Sequence, residues 1–345
     1  MKLSQVKKYL QENKLDAIVL FAKTPNFTYF VQSDFEYGIM VLTKKGNYLL
    51  VSLLYKPKFK GFQAVRWKNF KKDFKAFLKK HKIKKIGYDS QEILLKQKKF
   101  LSRHFKVRDV SGFLEDLRQT KTKEELAKFR KACQIGDVIF KKIISNLNSK
   151  KFKTEADIVK FMKMEALKQN AEMSFEPIVA NAENGVVAHH EMNSRLKKGF
   201  LVMDFGIKYK GYLSDMTRTI YLGTPSKKEI EIYGKVLDIQ KKCIEKAKIG
   251  MKTETLYNYS LKLFGKDAKY FVHGLGHGIG VRIHEKPSIG KAKDTLLKHS
   301  VFTIEPGYYN PKLGIGIRIE DDVYLGDKKE ILTKSTKDLI CLKLR

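Results

Sequence analysis

Cysteine, proline and tryptophan are scarce in this chain: three, seven and one among 345 residues. Cys133, Cys243 and Cys341 lie far apart, are odd in number and form no C-x-x-C pair. Neither a disulfide framework nor a thiolate zinc site is expected from them, and a reducing cytoplasm is the natural setting. Long apolar runs are also missing. The longest obvious one, Ala17 to Ala22, falls far short of the ~18 residues that a membrane span needs. The opening stretch MKLSQVKKYLQENKLDAIVL carries Lys, Gln and Glu where a signal peptide would be apolar, so export is not expected either.

Acidic residues are few relative to basic ones: 37 Asp and Glu against 70 Lys and Arg, a formal charge of +33. A basic chain of this kind could hold nucleic acid electrostatically. The excess is mostly lysine, however, and it runs the length of the sequence. Residues 1–120 hold 27 basic and 10 acidic groups, and residues 121–345 hold 43 and 27. Blocks of arginine interleaved with aromatics, the pattern of base stacking, are absent. The charge therefore reads as lysine-rich solvated faces, and neither a nucleic-acid nor a membrane partner is expected.

What is present is enough apolar material, 43% of residues, for more than one core. The length suggests two domains. Lys2 to Asn13 has an amphipathic helical pattern, and Ala17 to Ala22 reads as a buried strand. Tyr37–Thr43 and Tyr48–Ser52 flank the turn residues Lys44 to Asn47, a hairpin signal. Short strands at Lys85–Tyr88 and Phe105–Val110 alternate with helical stretches, so the first third is a small α/β domain. The boundary falls between Ser111 and Thr122, giving domains 1–116 and 117–345. Thr122-Lys-Glu-Glu125 is a capping box that opens a helix to about Asn146. Thr154-Glu-Ala-Asp157 and Ser226-Lys-Lys-Glu229 start two more, the latter running toward Gly250. Strand segments follow at Phe200–Ile207, Tyr212–Leu222, Val301–Glu305 and Ile315–Tyr324, making the second domain α+β with an antiparallel sheet.

Those strands carry carboxylates in apolar surroundings. With Tyr209 and Lys210 at the tip of a hairpin, Asp204 and Asp215 would face each other with their Cβ atoms ~5 Å apart. Two ionised carboxylates that close repel unless a cation or a proton lies between them. In Ile315-Gly-Ile-Arg-Ile-Glu320 the isoleucines take one face, leaving Gly316, Arg318 and Glu320 on the other. Val301, Thr303 and Glu305 share a face, and Pro306-Gly307 ends that strand just after Glu305.

Three of the eight histidines fall in His273-Gly-Leu-Gly-His-Gly-Ile-Gly-Val-Arg-Ile-His284. Its glycines disfavour a helix and let the backbone pass close to something while the imidazoles converge. The segment lacks the G-x-x-x-x-G-K-[ST] pattern of a phosphate loop. His189-His190 supplies another imidazole pair. Four carboxylates and an imidazole form an oxygen-rich set suited to two divalent ions such as Mn²⁺, Co²⁺ or Fe²⁺. The chemistry these residues point to is metal-assisted hydrolysis.

The second domain resembles the pita-bread metallopeptidases, the group of methionine aminopeptidase, Xaa-Pro dipeptidase (prolidase) and aminopeptidase P. The likeness spans about 120–345. It rests on Ala188-His189-His190, Met203-Asp-Phe-Gly206, Ser214-Asp-Met-Thr-Arg218, His273 to Gly280 with His284-Glu-Lys-Pro287, and Thr303-Ile-Glu-Pro-Gly307 with Arg318-Ile-Glu-Asp321. The resemblance implies that Asp204, Asp215, His277, Glu305 and Glu320 hold two divalent ions, Mn²⁺ foremost with Co, Fe or Zn as alternatives. Asp215 and Glu320 would bridge them. Glu305 would also be the general base toward a metal-bridging hydroxide, with His189 and His284 contacting substrate. His273 and Arg318 match outer groups, and Thr217 would orient Asp215. The first domain resembles the creatinase-type N-domain of the Xaa-Pro branch, which implies a homodimer cleaving Xaa-Pro bonds. One departure is Ala188, where many members have proline. Methionine specificity, or a non-catalytic RNA- or ribosome-binding module, is the alternative.

Overall fold

The apolar runs of the N-terminal third assemble into one sheet in the computed structural model, which describes residues 2–33, 35–188, 190 and 194–343. Its strands are Ala17–Phe21 (β1), Ile39–Thr43 (β2), Asn47–Ser52 (β3), Gln63–Trp67 (β4), Lys85–Tyr88 (β5) and Lys106–Asp109 (β6), in the order β4-β3-β2-β1-β5-β6. The helices are Leu3–Glu12 (α1), Pro25–Val31 (α2), Phe70–Lys80 (α3), Leu95–Ser102 (α4) and Ser111–Gln119 (α5). The expected β2–β3 hairpin forms, with Leu42 opposite Asn47. Two elements escape the periodicity argument. Helix α2 is announced only by Thr24-Pro25, where the threonine hydroxyl caps Phe27 N–H and proline takes the first helical position. Strand β4 is half exposed and lacks an apolar alternation.

By its contacts the chain divides into two units, Met1–Arg118 and Gln119–Arg345. In the second, helices Lys123–Asn148 (α6) and Glu155–Lys168 (α7) open on the capping boxes of Thr122 with Glu125 and Thr154 with Asp157. Strands follow at Glu172–Met173 (β7), Ile178–Asn181 (β8), Gly199–Phe205 (β9), Ile207–Tyr209 (β10), Tyr212–Leu213 (β11) and Met216–Leu222 (β12). Helices Lys227–Lys246 (α8) and Thr253–Phe264 (α9) come next. The last strands are Gly276–Gly278 (β13), Glu285–Ile289 (β14), Ser300–Ile304 (β15), Gly307–Asn310 (β16), Ile315–Arg318 (β17), Asp321–Leu325 (β18), Lys329–Ile331 (β19) and Cys341–Leu342 (β20). They form sheets β20-β12-β9-β8 and β14-β13-β15-β18-β19, with β16–β17 and β11-β10-β7 as smaller ladders. Helix α8 stops at Lys246 with Ala247 as its cap, short of Gly250, which turns instead at a φ of 83°.

Two helix pairs back these sheets, and the backing decides which side chains remain for chemistry. Leu201, Met203 and Phe205 of β9 pack with Ile139 and Ile143 of α6 and Met162 of α7. Strand alternation then sends Asp204 to the other face. Phe302 and Ile304 of β15 and Ile315, Ile317 and Ile319 pack with Val236 and Ile239 of α8 and Leu256 of α9. Thr303, Glu305, Arg318 and Glu320 are thereby turned away from that core. Among the described residues no helix is long and apolar enough to cross a membrane.

One expectation of register is corrected. Lys208 pairs with Leu213 and Tyr209 with Tyr212, so the turn tip is Lys210-Gly211, both at positive φ (48° and 80°). Left-handed conformation at both central residues is the type I′ turn that suits a twisted hairpin. The partner of Asp204 is therefore Thr217, not Asp215. Because the offset is two residues, the aspartates stay on one face as diagonal neighbours.

Replacing Thr122 by alanine removes the hydroxyl that accepts from Glu125 N–H. It should cost about 1 kcal/mol, read as a fall of a few degrees in the thermal midpoint of the second unit.

Candidate metal centre

Three of the four carboxylates of the site stand where a strand gives up its ladder, and the fourth, Asp204, stays inside one. Asp215 lies in the gap between β11 and β12, and its N–H donates to the side chain of Asp322 (Oδ2, 2.9 Å) instead of to a backbone carbonyl. Glu320 lies between β17 and β18 with its N–H on Thr217 O (3.1 Å). Glu305 follows the last residue of β15 and donates its N–H to Leu275 O (2.9 Å). Asp204 is within β9 and buried. His277 is the centre of β13, and Thr303 Oγ1 accepts its N–H at 3.0 Å. The glycines beside His277 allow this close approach to neighbouring strands. A Cβ on Gly276 would lie 2.0 Å from Thr303 O, and one on Gly278 would lie 2.0 Å from Lys286 O.

These groups converge as acceptors. Asp215, His277 and Glu320 each bring one ligand atom into a cluster within 4.8 Å. His277 Nδ1 faces Gly278 O at 3.0 Å; a carbonyl can only accept, so Nδ1 carries the proton and the Nε2 lone pair is free. Nε2 lies 3.4 Å from Glu305 Oε1 and 3.7 Å from Asp215 Oδ2. Asp204 Oδ1 and Asp215 Oδ1 are buried without a hydrogen-bond partner. Carboxylate oxygens and an imidazole lone pair facing each other, with no donor between them, fit a cation. The set is oxygen-rich with one nitrogen and no sulfur.

The electrostatics agree. Burial, then the charges of Glu320 and Asp204, pushes the Asp215 carboxyl well above its usual range. Burial, then Glu305 and Asp204, does the same to Glu320 against the help of Thr217 and Arg318. Glu305 is pushed up to about 7, again by burial first, with Arg318 opposing. Burial and the neighbouring His284 push His277 down to about 3, leaving it neutral and able to ligate.

Arg318 organises the anionic side. Its guanidinium pairs with Asp204 and donates from Nε to Thr217 Oγ1 (3.1 Å) and from Nη1 to Tyr309 OH (2.6 Å). The Thr217 hydroxyl donates in turn to Glu320 Oε2 at 2.7 Å. The hydroxyl thus orients Glu320, correcting the expectation that it serves Asp215; Asp322 holds Asp215 instead. Tyr309, which accepts from arginine, donates in turn to His273 Nε2 (2.9 Å), and His273 Nδ1 donates to Gly274 O (2.8 Å).

A cavity of about 1010 Å³ opens on the cluster, lined by Asp204, Asp215, His277, Glu305, Arg318 and Glu320 together with His273 and His284. The His284 ring lies 4.2 Å from that of His277, edge on. Phe175, Pro177, Ile178, Val272 and Ile283 give the cavity an apolar wall. His189 lies outside the described residues. His190 lines the cavity, with Nε2 3.1 Å from the buried Glu155 carboxylate, which also accepts from Asn181 N–H and Ser194 N–H. Asp322 and Tyr309 were missed by sequence reasoning. Both were within reach of it, since 318, 320 and 322 alternate onto one face and Tyr309 pairs with Gly316, two residues before Arg318.

Residues 127–327 match metallopeptidase family M24, and residues 2–120 match the creatinase/prolidase N-terminal domain. The chain is 33% identical to the Xaa-Pro dipeptidase of Pyrococcus horikoshii over 98% of both chains. It is 33% identical to that of Pyrococcus furiosus over 98% of this chain and 99% of the other. Among solved structures it resembles an Xaa-Pro dipeptidase from Bacillus anthracis, with a TM-score of 0.91, 29% identity and 99% of each chain covered. An X-Pro aminopeptidase from Thermotoga maritima superposes with a TM-score of 0.88 and 25% identity over 95% of this chain and 98% of the other. The architecture is that of the pita-bread fold preceded by a creatinase-type N-domain.

Raised carboxyl pKa values make a stability prediction. A carboxyl whose folded pKa exceeds its unfolded one is neutral in the fold where the unfolded chain is already ionised, so stability declines as pH rises through that window. Glu305, pushed to about 7, and the raised Asp215 and Glu320 all act in this sense. In chelator the thermal midpoint should fall between about pH 5 and pH 8, and added Mn²⁺ should raise it more at the upper end. A pH-independent Mn²⁺ increment would contradict the reading.

Proposed function

Because the chain belongs to metallopeptidase family M24, we propose that it is a dinuclear metal-dependent peptidase hydrolysing Xaa-Pro bonds, in dipeptides or at peptide N-termini. The observation that carries this reading is the convergence of ligand atoms from Asp215, His277 and Glu320, with Asp204 and Glu305 beside them, in the wall of one cavity. These five residues would hold two divalent ions, most naturally Mn²⁺. When bound, the ions supply Lewis acidity and a water acidic enough to ionise near neutral pH.

The remaining roles belong to the chain's own groups. Glu305, with a pKa near 7 and a position at the cavity floor, is suited to take a proton from the attacking water and return it to the leaving nitrogen. Arg318 cannot give up its proton, so it stays paired with Asp204 and, through Thr217, turns Glu320 into the site. His284 and His189 are assigned to the substrate carbonyl and the developing oxyanion, and His273 to the outer part of the substrate. An Xaa-Pro bond is a tertiary amide with no N–H. A site that works through fixed electrostatics on the carbonyl does not need that donor. Similarity to Xaa-Pro dipeptidases over nearly the whole chain supports this substrate class. A homodimer is part of the proposal, and exposed Tyr37, Leu53 and Leu54 in the N-terminal unit offer apolar surface for it.

Chelator-stripped protein should be inactive on Ala-Pro, Ala-Pro-Ala and Met-Ala-Ser, and Mn²⁺ should restore cleavage of one of the first two. Restoration on Ala-Pro alone assigns a dipeptidase, and on Ala-Pro-Ala an aminopeptidase. Cleavage of Met-Ala-Ser alone, or of nothing with any divalent ion, defeats the proposal. Asp215→Asn should lower kcat by at least about a hundredfold with the far-UV spectrum unchanged. Wild-type turnover in that variant would sink the ligand assignment.

A further inference from the structure

The N-terminal unit has a second concavity, of about 740 Å³, unrelated to the carboxylate centre. Six lysines line it: Lys14 after α1, Lys75 and Lys79 on α3, and Lys82, Lys84 and Lys85 leading into β5. Among the described residues none of the six side chains makes an ion pair or a hydrogen bond. Lysines elsewhere do pair, as Lys163 with Glu176 and Lys235 with Asp267 do. The one acid in the wall, Asp16, is occupied by the backbone: its Oδ2 accepts Lys84 N–H and Lys85 N–H, both at 2.8 Å. Lysines that look evenly spread along the sequence are thus gathered by the fold, six of them around a single carboxylate.

We propose that this cleft holds a single-stranded nucleic acid by its phosphate backbone, without sequence preference. An array of exposed ammonium groups around a groove, of which Lys75 also sits over the Phe100 ring at 5.8 Å, binds phosphates and releases their counterions. The positive surface extends beyond the cleft into an adjoining hollow shared by Lys84 and Lys85 and continuing to Lys106. That extension fits a polymer better than a compact anion. Phe105, half buried in the same wall, offers an aromatic surface for a base. A lipid surface fits less well. The unit's exposed apolar side chains, among them Leu54 and Leu95, are not in the cleft, so nothing there would enter a bilayer.

The test is fluorescence anisotropy of a labelled dodecauridylate with the full-length protein across a salt series. Binding should weaken with salt at a log–log slope of about −3 to −4, the value for four to six phosphate contacts on a single strand. Lys79→Glu, Lys84→Glu and Lys85→Glu together should weaken binding at least about tenfold and flatten the slope, with Ala-Pro hydrolysis unchanged. Replacing the same three by arginine should preserve binding. A control with Lys227, Lys228 and Lys241 of α8 changed to glutamate makes the same change in net charge. Equal loss in that control, or no binding at about 50 mM salt, overturns the proposal. So does cleft-dependent binding to phosphatidylglycerol vesicles without oligonucleotide binding.

Discussion

Mutual repulsion among buried carboxylates is the constraint on which the catalytic unit is organised. Asp204, Asp215, Glu305 and Glu320 face one hole, with Asp322 fully buried behind Asp215. An isolated ion taken out of water costs several kcal/mol even after relaxation, and close like charges add to that. Arg318 offsets part of it, with charge on Asp204 and through Thr217 on Glu320. The rest is left over in the metal-free fold, which is why Asp215, Glu305, Glu320 and Asp322 all have raised pKa values while Asp321 is held low by Arg218 and Lys337. A divalent cation is the ligand that converts such a surplus of acceptors into attraction.

Asp321 shows how the surplus is contained. Arg218 is almost wholly buried behind the site and pairs with Asp321 Oδ1 at 2.6 Å while donating to Glu320 O and Thr217 O. Asp321 also accepts from Thr333 Oγ1 and Gln240 Nε2, so β12, β18, α8 and the C-terminal segment meet on one satisfied polar core. Asp137 of α6 closes the outer side by accepting Ser335 N–H at 2.7 Å. Networks of this kind rigidify when every member is satisfied. Here the rigidity is delivered to the backbone of Glu320 and Thr217, the two residues whose side chains meet at the site.

Much of this was legible in the sequence, for identifiable reasons. Capping boxes at Thr122, Thr154 and Ser226 are local chemistry, and each opens a helix as expected. Alternation in 315–320 and 301–305 depends only on the period of a strand. It therefore assigned Arg318, Glu320 and Glu305 to the non-core face without knowledge of partners. Register was another matter. It turned on which two residues of Lys208-Tyr-Lys-Gly211 take positive φ, and lysine at 210 is not a residue that announces this. Hydrogen-bond direction was also out of reach. That Thr217 serves Glu320, and that Tyr309 links Arg318 to His273, follows from strands brought together by the fold and not from spacing along the chain. The glycines around His277 illustrate a half-right inference: they admit a close approach, but of Thr303 and Lys286 carbonyls.

Three of the four site carboxylates, all but Asp204, stand where ladders break, and the break and the freed side chain have one cause. A residue inside a two-sided ladder has its N–H and C=O fixed by neighbours, so its side chain can only stand perpendicular to the sheet. Asp215 and Glu320 escape this, and their N–H groups are satisfied by Asp322 and by Thr217 O respectively. Glu305 is released by Pro306, which has no N–H to continue β15. Each interruption exposes backbone groups that must be paired some other way, since an orphaned buried amide is costly. Asp322, Thr217 and Leu275 therefore serve the carboxylates indirectly, by making three broken strands affordable in the middle of a core.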